Sequence, residues 1–410
     1  MTRFPPGQSW SHNVVAEGYC DLDGKPAFKL AIQEKAGKWY LYVAHLWHRG
    51  WSVIDVTDPA APRMIRTIEG PPNTWTIQLQ IADGKMITGL ERMPPVWGGD
   101  PDAPFSEGIL IWDVEDPEDP KRIGSFSTGG TGTHRNYYDG GRYVHLTAGV
   151  PGYTGNIYMI VDIEDPANPV EISRWWHEGQ WQAGVQSGGE SAPPPHTSLH
   201  GGAYIVGDRA YLPHGGAGVI ILDISDITQP RKVSQFRVSP PYVSLFGIHS
   251  AVPIPSRKLV AANSEAIREN CDEPLGFVGL IDISNEAEPR LVSTMPLPAP
   301  PPGAPFRNFC EFGGRFGPHN QHQAQNQAAL MQNDNLIYMT YFNAGLRIFD
   351  ISDERLPVEV GYFVPPVPET RRGGLPKTMA PQSEDVLVDA RGCIYVSDKN
   401  HGIYILRHEI

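Results

Sequence analysis

Six twelve-residue segments of one pattern constrain this chain more than any other feature: WSVIDVTDPAAP from Trp51, ILIWDVEDPEDP from Ile109, YMIVDIEDPANP from Tyr158, VIILDISDITQP from Val219, VGLIDISNEAEP from Val278 and LRIFDISDERLP from Leu346. Asp stands fifth and Pro twelfth in each. The four residues before the Asp suit a strand, the run is too short for a helix, and the Asp/Ser/Pro cluster that follows is turn chemistry. The repeated residues Asp55, Asp113, Asp162, Asp223, Asp282 and Asp350 are separated by 58, 49, 61, 59 and 68 positions. That interval accommodates one small sheet per repeat.

Around each segment the pattern predicts three further strands. One precedes it, over 39–43, 85–90, 143–147, 210–213, 259–262 and 336–340; an inner strand comes before that, and a last strand follows, as over 121–126 and 232–238. A seventh unit has three strands, at 383–389, 392–397 and 402–407. Its fourth strand is expected from the N-terminal segment, which would join first unit to last and remove exposed sheet edges. The expected fold is therefore all-β: a seven-bladed β-propeller of four-stranded antiparallel blades, a single domain over 1–410. With 43 Gly, 40 Pro and 19% charged residues, the composition is that of a turn-rich globular chain.

The segments, VIILD at 219–223 above all, resemble the LVIVD repeat family. The resemblance covers nearly the whole chain and implies a β-propeller. The recurring Asp and Pro read as structural, Asp capping the turn through its side chain and Pro directing its exit.

Functional residues are sought on the innermost strands, which line the axis of a propeller. His134, His200 and His249 each lie eight residues before the end of an inner strand, at Arg142, Asp208 and Arg257. The strings GTHRN, SLHGG, GIHSA and GPHNQ repeat a small residue two before the His, which adds His319. In that unit the insertion QHQAQNQAALMQ makes His322 a rival. QSEDV puts Glu384 at the matching place in the last unit, and Trp75 and Phe28 occupy it in the first two.

Four imidazoles and a carboxylate on one axis suit a divalent transition metal, with iron favoured and copper, manganese or zinc also compatible. Glu384 is then a fifth ligand, an orienting group or a base, and Arg135 and His322 are further catalytic candidates. Trp75, Trp176, Trp181 and Arg307 are candidates for binding a small-molecule substrate, aromatic or apolar, with Arg307 able to hold a carboxylate. The layout is similar to that of carotenoid-cleavage oxygenases, in which four histidines hold an axial iron, and to the selenium-binding and methanethiol oxidase propellers. That similarity implies oxidoreductase chemistry, as an oxygenase or oxidase. Two other readings stand beside it: a metal-assisted hydrolase, lyase or isomerase using a metal-bound water with Glu384 as base, and a non-catalytic scaffold for other proteins.

A net charge of −13 excludes neither fold nor enzyme, but it gives no attraction to phosphate backbones or anionic lipids. Nucleic acid and membrane are thus not expected partners. The N-terminus has no apolar signal segment, so a cytoplasmic location is expected, and the four scattered cysteines are expected to be reduced. Oligomeric state leaves no mark in the sequence.

Overall fold

The motif Asp residues act as turn caps. Each Oδ1 accepts the backbone N–H two residues on, at 2.7–3.0 Å, from Thr57, Glu115, Glu164, Ser225, Ser284 and Ser352. The strand before each cap is buried, while the strand after it is half-buried to exposed, so each unit has an inside and an outside. A register shift recurs where these two strands pair, between Val53 and Ile54, Ile160 and Val161, Ile221 and Leu222, Leu280 and Ile281, and Ile348 and Phe349. Such bulges increase local twist, which turns each outer edge away from a flat stack.

The structure, a computed structural model, describes residues 4–238, 246–274 and 276–409. Among them are six sheets, five of four strands and one of eight, with every strand pairing antiparallel. The first sheet is Ala27–Lys35, Lys38–His45, Gly50–Asp55 and Arg63–Glu69. The eight-stranded sheet joins Thr74–Ala82, Lys85–Arg92, Gly108–Asp113 and Lys121–Phe126 to Gly132–Tyr137, Tyr143–Gly149, Ile157–Asp162 and Val170–Trp175. Its halves meet at one residue pair, Gly132 with Glu91. The next two sheets begin at Tyr204–Val206 and Phe246–Ile254.

The N-terminal segment completes the last two sheets. Trp10–His12 pairs with Val358–Val364, and Val14–Cys20 pairs with Gly402–His408. First strands pack on first strands: Ala27–Lys35 lies against both Thr74–Ala82 and Ser383–Val388, and Thr74–Ala82 also against Gly132–Tyr137. The core fills the spaces between adjacent sheets. Tyr42, Trp51 and Val53, for example, pack on Leu79, Met86 and Trp112 of the following sheet.

The cysteines depart from expectation. Cys271 and Cys310 form a disulfide with a Cα separation of 5.4 Å, while Cys20 and Cys393 are free and buried. Sequence spacing hid the pair because the two residues, 39 positions apart in the chain, meet only in the folded protein. Thiol titration of the denatured protein without reductant is therefore expected to count the two free cysteines, Cys20 and Cys393. A count of four would break the assignment.

Candidate metal centre

His134 lies on Gly132–Tyr137, His249 on Phe246–Ile254 and Glu384 on Ser383–Val388. In each case the register with the neighbouring strand slips there, between Thr133 and Arg135, Phe246 and Ser250, and Ser383 and Asp385. A bulge re-aims the side chain it carries, and here it frees the residue from strict alternation. His200 and His319 precede regular strands but are fixed by backbone bonds, His200 N–H to Pro213 O at 3.2 Å and His319 N–H to Thr340 O at 2.9 Å.

The four imidazoles form a chain of contacts. Ring centroids are 4.4 Å apart for His134 and His200, 5.1 Å for His200 and His249, and 4.9 Å for His249 and His319. His200 stacks on Phe246 at 3.6 Å and His319 on Phe342 at 4.6 Å, which leaves each ring little freedom to turn.

At their centre stands a residue absent from the sequence expectations, Glu265. Its Oε2 lies 3.1 Å from His200 Nε2 and 3.6 Å from His249 Nε2, and its Oε1 lies 3.6 Å from His319 Nε2 and 2.6 Å from an Arg315 nitrogen. Burial alone would raise the pKa of this carboxyl. The surrounding His249 and His319, the His200 hydrogen bond and Arg315 outweigh that effect and hold it well below the ordinary carboxylate range. A second acid, Glu91, accepts from His134 Nδ1 at 2.7 Å.

That bond fixes the His134 tautomer. With Nδ1 carrying hydrogen, Nε2 presents a bare lone pair, and this buried atom has no hydrogen-bond partner. His249 Nδ1 lies 2.7 Å from Ser250 Oγ, which itself donates to His319 O at 3.4 Å, so His249 Nε2 is likewise the inward acceptor. Burial favours the neutral form of three of the rings: His200 falls to about 4, with the neighbouring His134 contributing, and His249 and His319 go well below their usual value. Neutral imidazole is the form that ligates. Donor atoms of His200, His249 and Glu265 all lie within 4.8 Å of one another. Two imidazoles and a carboxylate in one group, with the orphaned His134 nitrogen beside but not within it, are donors of the type a divalent transition metal takes.

Glu384 borders the cluster, with Oε2 3.3 Å from His319 Nδ1. Burial pushes its pKa up, which favours the protonated form. Arg135 reaches in from the opposite side, one terminal nitrogen 3.2 Å from His249 Nε2. Beside the cluster is a cavity of about 340 Å³ whose lining includes Phe28, Trp75, Trp97, His134, Arg135 and Glu384.

Other predicted residues stand elsewhere. His322 has both ring nitrogens engaged by backbone, Nε2 at 2.9 Å from Met331 O and Nδ1 accepting from Val388 N–H at 3.1 Å. It belongs to a segment that runs between sheets, with Gln325 N–H on the Tyr204 hydroxyl and Gln327 Nε2 on Ile81 O. Replacing His322 with Ala is accordingly expected to leave metal content unchanged, whereas His319→Ala lowers it; elemental analysis of both variants checks the choice. Trp176 packs on Tyr153 at 5.1 Å, Trp181 is 42% exposed at the start of a short helix, and Arg307 is an exposed partner of Glu311. None of these three lines the cavity.

Glu91 and Glu265 had a sequence signal. Each lies six residues past the one that faces the motif Asp, Lys85 opposite Asp113 and Leu259 opposite Asp282. The same register position thus carries an acid in two sheets.

Comparison with known proteins agrees with the repeat. The LVIVD repeat family matches residues 36–69, 152–175, 203–238 and 333–364. No curated protein matches the chain. Among solved structures, the chain is similar to the Cps50 (Swd1) β-propeller domain of Myceliophteria thermophila, with 11% identity, a TM-score of 0.55 and coverage of 97% of this chain and 99% of that one. A protein from Lactobacillus plantarum gives 12% identity, a TM-score of 0.52 and coverage of 93% and 94%. Sqt1 of Saccharomyces cerevisiae gives 8%, 0.50, 96% and 98%. At these identities the likeness establishes the fold, a β-propeller, and nothing of activity. No helix among the described residues is long and apolar enough to cross a membrane.

Proposed function

Because the chain is an LVIVD-repeat β-propeller, its axis is where chemistry would be built, and we propose that it is a metal-dependent oxidoreductase acting on a small organic substrate beside an axial ion. The eight-stranded sheet, pinched at one residue pair, counts as two blades in this reading. The propeller then has seven, and the pairing of Val14–Cys20 with Gly402–His408 closes the ring.

One observation carries the metal: His134 Nε2 is buried without a partner while its Nδ1 is held by Glu91. A carboxylate behind an imidazole fixes the ring and raises its basicity, the arrangement that supports metal-ligating histidines. His134, His200, His249 and His319 would hold the ion, with Glu265 as the nearest carboxylate. Bound iron or copper would supply one-electron chemistry toward dioxygen, manganese the same less readily, and zinc none.

The protein's own residues do the rest. Phe28, Trp75 and Trp97 give the cavity an apolar wall that excludes water from the reacting groups. Glu384, whose burial favours the protonated form, stands against His319 and can deliver a proton into the cavity. The disulfide fits an oxidising compartment better than the cytoplasm.

Elemental analysis of freshly purified protein tests the proposal, with one equivalent of iron, copper or manganese expected. Absence of any stoichiometric metal overturns it in favour of a scaffold. Turnover that persists without oxygen or another electron acceptor overturns the redox assignment and leaves Lewis-acid chemistry.

A further inference from the structure

We propose that the axial cavity binds an aromatic monocarboxylate, with the Arg135 guanidinium as the anchor for its carboxylate and the rings of Phe28, Trp75 and Trp97 as the wall for its ring. The assignment rests on reading this cavity as a substrate site. Its starting point is a buried guanidinium that, among the described residues, has no carboxylate bonded to it.

Arg135 is 5% exposed and lines the cavity. Among the described residues no carboxylate forms an ion pair with it, and its Nε has no hydrogen-bond partner. Its contacts are His249 Nε2 at 3.2 Å and the face of Phe28, 5.3 Å from the ring centroid. Neighbouring buried cations are treated differently. Arg315 has Glu265 at 2.6 Å, and Lys29 has Asp385 at 3.1 Å. A guanidinium taken out of water without an anion bonded to it is costly, and here that cost falls beside a cavity.

The nearby carboxylates act on it through space, and the two that are ionised in the lining are bonded to other partners. Glu91 is bonded to His134 and Glu265 to Arg315 and His200. An incoming carboxylate can take two N–H bonds from the planar guanidinium, which a neutral amide or alcohol cannot match in strength. The remaining surface selects what the carboxylate is attached to. Trp75 and Trp97 lie 5.4 Å apart, and Phe28 sits beneath the Arg135 plane, so a flat ring joined to the acid by a short link meets aromatic faces. A volume of about 340 Å³ is near the lower limit of small-molecule sites, suited to one substituted ring and too small for a long polyene.

The test uses the purified full chain and three probes, phenylacetate, phenylacetamide and acetate, with tryptophan fluorescence as readout and metal content measured on the same sample. Phenylacetate is expected to bind about tenfold tighter than either of the others. Arg135→Gln should erase the preference for acid over amide without altering binding of the amide. Trp75→Leu should weaken both ring-bearing probes and preserve their ratio. Equal affinity for acid and amide in the unmodified protein overturns the proposal with no variant needed, as does a preference that survives Arg135→Gln. Acid preference in a sample free of metal would sink the metalloenzyme reading and leave this one standing; metal without acid preference would do the reverse.

Discussion

Substitution of His200 or His249 by alanine is expected to lower bound metal by more than about tenfold and to abolish turnover, with the far-ultraviolet spectrum of a β protein retained. These two and Glu265 are the residues whose donor atoms already lie within 4.8 Å of one another, so each removes a ligand that others cannot replace. The fold should survive because neither ring holds a sheet together. His200 stacks on Phe246 beside the cavity, and the backbone bond from His200 N–H to Pro213 O does not depend on the side chain. Glu265→Gln separates the two roles of the carboxylate. It keeps the shape but leaves Arg315 buried without its anion, so it should cost roughly 3–5 kcal/mol of stability as well as metal. Metal retained in both histidine variants would refute the site.

Acidification from pH 7.5 to pH 5 is expected to remove most of the protein's stability. Burial holds His45, His145 and His214 at about 3 and His322 at about 4, all below the 6.5 of an exposed imidazole. In the unfolded chain these rings take up protons as pH falls through 6.5, whereas in the folded protein they stay neutral until far lower. The unfolded state then binds more protons, so stability is full above that range and declines steadily below it. At pH 5 each ring contributes a loss of about 2 kcal/mol, and four together remove about 8 kcal/mol, comparable with the whole stability of a typical domain. Denaturant titration at pH 7.5, 6 and 5 measures it; a midpoint that stays constant or rises on acidification contradicts the burial assignments. His145 offers a control, since its Nδ1 meets the neutral Tyr158 hydroxyl at 2.7 Å and burial accounts for its shift. His145→Gln should make the pH slope shallower.

The repeating strand and its Asp cap were legible because both are local. A side chain that accepts a backbone N–H two residues on needs only its own turn, and an apolar run of four residues declares a buried strand wherever it lies. The histidines were legible for a related reason: a repeat carries its register along the chain, so equal spacing implies equal position. His322 shows where that logic stops. Its unit contains an insertion, spacing no longer measures position, and only its bonds to Met331 O and Val388 N–H separate it from His319.

By itself, then, the chain determined an all-β repeat of strand and capped turn, and a row of imidazoles in matched places. Tertiary structure decided what those imidazoles face. Glu265 and Glu91 come from second strands, Arg315 comes from a long connection, and local slips in register turn His134, His249 and Glu384 from strict alternation. Such meetings depend on how separate sheets pack around one axis. No stretch of sequence contains that relation, because the electrostatic cost and gain of bringing these charges together arise only once water has been excluded from between them.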